Sequence, residues 1–124
     1  MSATNETARR TALVVARMDA ANSTEVSRLF SASDATSLPH DLGVRGRRLF
    51  RYHGLYFHLV EFDGTHTDPV AVARGRADFQ RLSEELSPFV LPFEPATWRG
   101  PESAMAEEFY SWTAAPAVPP RPAG

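Results

Sequence analysis

The stretch RRLFRYHGLYFHLVEF, residues 47–62, decides how this chain folds. His53-Gly54 divides it into two strand-like segments, because a glycine second in a tight loop supplies the positive φ that a two-residue hairpin turn needs. Pairing Tyr52 with Leu55 across that turn sets Arg51 opposite Tyr56, Phe50 opposite Phe57, Leu49 opposite His58 and Arg47 opposite Val60. Alternation then sorts the side chains. One face carries Arg45, Arg47, Leu49 and Arg51 beside Tyr56, His58, Val60 and Phe62. The other carries Gly46, Arg48, Phe50 and Tyr52 beside Leu55, Phe57, Leu59 and Glu61. A three-residue turn would reverse this parity and bring Arg48, not Arg47, beside His58. Both faces are rich in large apolar groups. A sheet with helices on one side only would leave the second face bare, and a second copy of the sheet is its simplest cover. That is the sequence argument for a homodimer.

Outward from the hairpin, TALVVARM (11–18) is a nearly continuous β-branched run, the pattern of a central strand covered on both faces. Asn22 followed by Glu25 has the form of a capping box, and Val26, Leu29, Phe30, Ser33 and Ser37 follow at helical spacing. This predicts a helix of about four turns ending before Pro39. Asp68-Pro69 supplies an N-cap and a first-turn proline for a second helical stretch, broken at Gly75 and running to about Ser87. VLPFEPATW (90–98) carries Pro92 and Pro95, so as a strand it belongs at an edge. AMAEEFYSWTA (104–114) forms a short further element whose Phe109, Tyr110 and Trp112 call for burial. The order β-α-β-β-α-β is that of the ferredoxin-like α+β plan, a split βαβ. Residues 1–9 are polar and aperiodic and residues 114–124 are rich in Pro, Ala and Gly, so both ends read as disordered, leaving 10–113 as the structured domain.

Composition narrows the function. At 124 residues, 43% apolar and 23% charged, the chain is one soluble domain, and its formal charge of -2 gives no overall affinity for polyanions. With no cysteine, a disulfide framework, a thiolate nucleophile and a Cys-ligated metal are excluded, which together with the absence of a signal-like or membrane-spanning run reads as a cytoplasmic protein. The four histidines, 40, 53, 58 and 66, lack H-x-x-x-H or H-E-x-x-H spacing, and there is no phosphate loop or dinucleotide fingerprint, so neither metal nor cofactor is expected. HGLYFHLVEF echoes the aromatic strand of RNA-recognition motifs, which share this element order. The spacing is too long, the flanking glycine is missing, and the charge is of the wrong sign.

The candidates for chemistry lie on the hairpin and the first helix. Arg47 and His58 share a face as diagonal neighbours, about 7–8 Å apart at the backbone, so both side chains can reach one small group. Taken alone, Arg47 also reads as a strand arginine snorkelling to the rim, and His58 as a satisfied core histidine or as an acid or base. Ser33 takes a core-facing helical position beside Asp34, which reads either as a helix-end carboxylate or as a partner orienting His58 or an arginine. SASDA is no nucleophile elbow, so a serine nucleophile is not favoured.

Three stretches carry a family resemblance: the LGVR-x-R-x-LFR-x-H-x-LY-x-HL hairpin, the PATWR-x-P segment and the FYSW ending, in order within residues 12–113. They resemble the tetracenomycin-type cyclases of aromatic polyketide pathways. The resemblance implies a ferredoxin-like homodimer, a dimeric α+β barrel, that closes a late ring of a partly cyclised poly-β-ketone by intramolecular aldol condensation and dehydration without a cofactor. Other polyketide synthase components are possible partners on this reading. The resemblance also implies a cavity between sheet and helices holding Asp34, Arg47 and His58. Phe30, Tyr56, Phe62 and Trp98 are candidate walls for a flat polyphenol there, and Ser33 is a further candidate substrate contact. Ser33 stands where some members carry a histidine. This departure keeps open a non-catalytic subunit that shapes the chain, and the related cofactor-free monooxygenases of the dimeric α+β-barrel class are a third reading.

Overall fold

The computed structural model describes residues 10–99 and 101–115. The disordered start expected over 1–9 lies outside the described residues, as does the tail expected over 114–124 except for Ala114 and Ala115.

Strands β1 (Arg10–Arg17), β2 (Val44–Tyr52), β3 (Leu55–Phe62) and β4 (Leu91–Pro92) form one antiparallel sheet in the order β2-β3-β1-β4. Helix α1 (Ser23–Asp34) and the short α2 (Leu38–Asp41) connect β1 to β2, and α3 (Pro69–Arg74) with α4 (Ala77–Leu86) connect β3 to β4. This is the ferredoxin-like α+β arrangement. Short 3-10 turns at Ala20–Asn22, Pro95–Thr97 and Pro101–Ala104 complete the elements.

Tyr52 pairs with Leu55, and both residues of the intervening turn have positive φ, 48° at His53 and 79° at Gly54. Positive φ at both positions is the type I′ signature, whose twist matches the flanking strands. The register therefore runs as the two-residue turn requires. Reading across β2, β3 and β1, one row is Arg51, Tyr56 and Ala16, and the next on the same face is Leu49, His58 and Val14. The third is Arg47, Val60 and Ala12. The helices cover this inner face: Ala16, Met18 and Tyr56 pack with Val26, Leu29 and Phe30 of α1 and Leu82 of α4 in the main core.

The strand departs from simple alternation at its start. A β-bulge between Val44 and Gly46 leaves Arg45 without a partner, so Val44 stands opposite Phe62 in the position that unbroken alternation assigns to Arg45. One extra residue shifts the phase, Arg45 becomes exposed, and Val44 packs on a second small core of Leu38, Leu42 and Ala73.

The first helix also begins and ends differently from the expectation. Asp19 caps the preceding 3-10 turn, accepting from the Ala21 amide at 2.9 Å, while Asn22 makes no side-chain cap and Glu25 instead pairs with Arg28. The helix ends at Asp34, and Pro39 lies inside α2 instead of stopping α1. Proline is tolerated there because first-turn amides have no intrahelical acceptor. Asp68 does cap α3, accepting from the Ala71 amide at 3.1 Å, and Gly75 separates α3 from α4. Beyond β4 the chain bridges Met105 to Val14, and Phe109, Tyr110 and Trp112 are 96%, 75% and 73% exposed rather than buried. On the outer face of the sheet Phe50 and Tyr52 are also exposed, so the cover expected on both sides of β1 is present on one side of the single chain.

Candidate active site

Helix α1 runs beside the edge strand β2, and their side chains bound a groove. One end is a cavity of about 580 Å³ lined by Ser27, Phe30, Ser31, Asp34, Ala35, Arg47 and Leu49. The other, about 250 Å³, is lined by Met18, Ser23, Val26, Ser27, Leu49, Phe50, Arg51 and Tyr56. Ser27 and Leu49 belong to both, which makes the two cavities neighbours along one strand.

Arg47 is the hub of the first cavity. Its Nε lies 3.1 and 3.0 Å from the two Asp34 carboxylate oxygens, and its Nη2 lies 2.9 Å from Oδ1. Its Nη1 lies 3.0 Å from His58 Nε2. A guanidinium can only donate, so His58 accepts through Nε2 and its ring proton is assigned to Nδ1. Three of the five guanidinium N–H groups are thus engaged, and two are left for an oxygen in the groove. The last residue of α1 and the third inner row of the sheet are joined by this one side chain. Phe30 forms the floor: its ring lies 5.0 Å from the Arg47 guanidinium carbon and meets the His58 ring edge-on at 5.1 Å. Tyr56 stands at 6.3 Å from His58, also edge-on. These contacts hold the charged group against aromatic surface, where cation–π attraction partly replaces hydration.

Burial, reinforced by the adjacent Arg47 charge, pushes the His58 imidazole down to about 4. It is therefore neutral at pH 7, with a lone pair that Arg47 occupies. Burial pushes the Tyr56 phenol up, only partly opposed by Arg47, so it remains a hydroxyl.

The structure brings Asp34, Arg47, His58, Phe30 and Tyr56 together. Ser33 is half-buried on α1 but lines neither cavity. Phe62 shares the inner face yet sits four residues along β3 from His58, about 13 Å at the strand rise, opposite the bulge. Trp98 follows the Pro95–Thr97 turn and also lines neither cavity. Several groove residues escaped the sequence reading of the site, Ser23, Ser27 and Arg51 among them. Ser23 and Ser27 lie on the α1 face turned to β2, while Arg51 shares Arg47's parity and lines the second cavity. That parity was the available signal. Among the described residues no group of three or more His, Cys, Asp or Glu side chains could hold a metal ion, and no helix is long and apolar enough to cross a membrane.

A two-layer α+β domain with this set on the inner face of its sheet matches one known class: residues 10–113 fit the family described as polyketide synthesis cyclase, and the chain belongs to that family. Among individual proteins it is 41% identical over 103 residues to tetracenomycin F2 cyclase of Streptomyces glaucescens, covering 83% of this chain and 94% of the relative. The solved structure of that cyclase, described as a type-II polyketide cyclase, superimposes with a TM-score of 0.78 at 40% identity, over 86% of this chain and 99% of that one. An uncharacterized protein of Streptomyces coelicolor is 42% identical over 106 residues, 85% of this chain and 96% of its own length. The likeness to a Caulobacter crescentus protein described as a putative antibiotic biosynthesis monooxygenase is one of fold alone, with a TM-score of 0.52 at 16% identity over 67% of this chain and 79% of that chain.

Proposed function

We propose that this protein closes a late ring of a partly cyclised poly-β-ketone by intramolecular aldol condensation followed by loss of water. The observation that carries the reading is the Asp34–Arg47–His58 chain of contacts, in which Asp34 and Arg47 line an open groove and His58 lies directly behind Arg47, in a member of the polyketide cyclase family. Poly-β-ketone methylenes are already acidic, so much of the rate comes from holding one folded conformer in the groove, worth up to ~7–11 kcal/mol in favourable intramolecular reactions.

The remaining chemistry is a trade of hydrogen bonds. A substrate carbonyl oxygen takes the two unspent N–H groups of Arg47 and draws Nη1 away from His58. This frees the Nε2 lone pair to accept the α-proton, so base and oxyanion donor are armed by the same event. The α-carbon then bonds to the ketone carbon, whose oxygen takes the proton back from His58, and the resulting hydroxyl leaves as water together with a proton from the adjacent α-carbon, forming the C=C bond that completes the aromatic ring. No electrons are exchanged with an outside acceptor, so the sequence demands no redox cofactor. General base catalysis contributes about 10²- to 10⁴-fold, and each well-aimed oxyanion donor about 10²- to 10³-fold. Asp34 acts as a positioning residue that fixes the plane of the guanidinium. Its two-pronged contact is what Arg–carboxylate geometry favours.

A second copy of the chain covers the outer sheet face on this reading. Phe50, Tyr52, Leu91 and Phe93 are 45–65% exposed there, and the extended segment with Phe109, Tyr110 and Trp112 adds further unburied aromatic surface. Sedimentation at micromolar concentration is expected to give a dimer, and replacing Phe50 and Tyr52 together with Glu is expected to give a monomer.

The test of the activity is direct. Purified protein added to a partly cyclised poly-β-ketone should speed formation of a single ring-closed product and shift the product ratio away from that in buffer. An unchanged rate and ratio would overturn the catalytic reading. An unchanged rate with an altered ratio would support the shaping subunit that Ser33 brings to mind.

A further inference from the structure

The second cavity is built for a charge that the first does not need. Arg51 lines it and is held at one point only, its Nη1 donating to Ser23 Oγ at 2.8 Å, while Ser23 Oγ in turn donates to the Ala20 carbonyl at 2.8 Å. No carboxylate pairs with Arg51 among the described residues, in contrast to Arg47 and Arg28, which have one each, and Arg76, which has two. Four of its five N–H groups remain unspent.

Tyr56 supplies the independent observation. The residue is only 3% exposed, yet its hydroxyl makes no hydrogen bond among the described residues. Among the described residues no polar side-chain atom is both sealed and unpartnered, so this hydroxyl keeps access to a void. The void that Tyr56 lines is the Arg51 cavity. The hydroxyl is therefore free to donate to a ligand oxygen seated in that cavity. The first turn of α1, with Ser23 and Val26 on the cavity wall, adds the positive end of a twelve-residue helix.

We infer that Arg51, Tyr56 and Ser23 form a carboxylate subsite that anchors the acidic end of a polycyclic substrate while its reacting ring lies against Arg47 and His58. The inference rests on the proposed cyclase reading for the identity of that substrate, and not for the existence of the subsite. Arg47 and Arg51 are four residues apart on one strand face, about 13 Å between their Cα atoms, a span that suits the long axis of a linear fused-ring skeleton. Asp34 already balances the Arg47 charge, so a carboxylate is directed to the Arg51 end. The substrate is thereby oriented as well as bound: reversing it end for end would place a neutral ring edge on an unpaired arginine and a carboxylate beside Asp34.

The experiment uses binding, not turnover. Anthraquinone-2-carboxylate and its neutral carboxamide are titrated into the full chain by calorimetry, for the wild type and for Arg51→Gln, Tyr56→Phe and Arg47→Gln, each checked for its fold by circular dichroism. The wild type is expected to prefer the carboxylate by about tenfold, the size of one charge-assisted hydrogen bond. Arg51→Gln should bring the two affinities within about twofold while keeping that for the carboxamide, and Tyr56→Phe should weaken the carboxylate alone by about threefold. Equal affinities in the wild type would overturn the subsite, as would failure of both probes to bind. A preference that survives Arg51→Gln but disappears in Arg47→Gln would overturn it too. None of these outcomes depends on ring closure: a protein that turns over no polyketide yet prefers the carboxylate through Arg51 keeps the subsite and loses the cyclase reading.

Discussion

Two arginines of this molecule are each held by two neighbours, and they differ in what the second neighbour is. Arg76, between α3 and α4, lies 2.9 Å from an Asp41 oxygen and 2.9 Å from an Asp78 oxygen, so two carboxylates enclose it. Their hydrogen bonds, Asp78 first, raise the guanidinium above its ordinary range and hold both carboxyls below theirs. Arg76 ties α2 to the start of α4 beside the small core of Leu38, Leu42 and Ala73. Arg47 has one carboxylate and one neutral imidazole, and it faces a groove. An arginine between two acids is satisfied and holds elements together. An arginine between an acid and a neutral base keeps donors to spare and a partner whose lone pair it can release.

The sharpest way to break this contrast is to remove both arginines in turn. Arg47→Gln is expected to lower kcat by about 10²- to 10³-fold in a cyclisation assay, the loss of an oxyanion donor, while the melting temperature changes little. His58→Gln comes next, at about 10²-fold, the low end for a lost general base, and the kcat/KM profile of the wild type should stay flat through neutrality with its acid limb near pH 4. Asp34→Asn keeps the shape of the contact without its charge and is expected to cost about tenfold in kcat, the scale of one charge-assisted hydrogen bond, with KM moving less. Arg76→Gln should have the smallest effect on turnover, none per folded molecule, and should show itself as a lower melting temperature. Equal loss of turnover in the Arg47 and Arg76 variants would erase the distinction.

Acid denaturation sharpens the same comparison without substrate. The folded His58 titrates at about 4 against an ordinary value of 6.5, so between those values the unfolded chain binds the extra proton. Its influence on stability is therefore absent above about pH 6.5, and stability falls as the pH drops towards 4, by roughly 3 kcal/mol in all. Asp41 and Asp78 have the opposite sign of cause and a lower window: their contribution is present above the ordinary carboxylate range and is lost only as the pH falls through it and below. Urea midpoints across pH should lose their slope between 6.5 and 4 in His58→Gln and keep it in Arg76→Gln.

What could be read in the sequence follows from how local each signal is. The hairpin register was legible because His53-Gly54 fixes the turn and the turn fixes parity, which by itself sets Arg47 and His58 on one face. The bulge was not, since VRGRR has cations on both sides of the strand and only Gly46 hints at a break. Pro39 read as a stop because its neighbours were unknown; in the first turn of a new helix it is harmless. The Asp34 contact needed the end of α1 to meet the third row of the sheet, a fact of packing that no spacing along the chain encodes. Phe62 and Trp98 were grouped with the walls by composition and face, but distance along the strand and the turn after Pro95 set them apart.

The bulge at Arg45 has a meaning for how such a protein can change over generations. It works as a phase break in β2: on one side the strand carries Arg47, Leu49 and Arg51 in a rhythm set by the turn at His53-Gly54, and on the other Val44 keeps its own rhythm with the small core. A residue gained or lost at that point re-phases the Val44 end and leaves the rows that carry Arg47 and His58 in place. The strand is in this sense two inheritable modules joined at one permissive position, so lineages can remodel the closed end of the domain without renegotiating its chemistry.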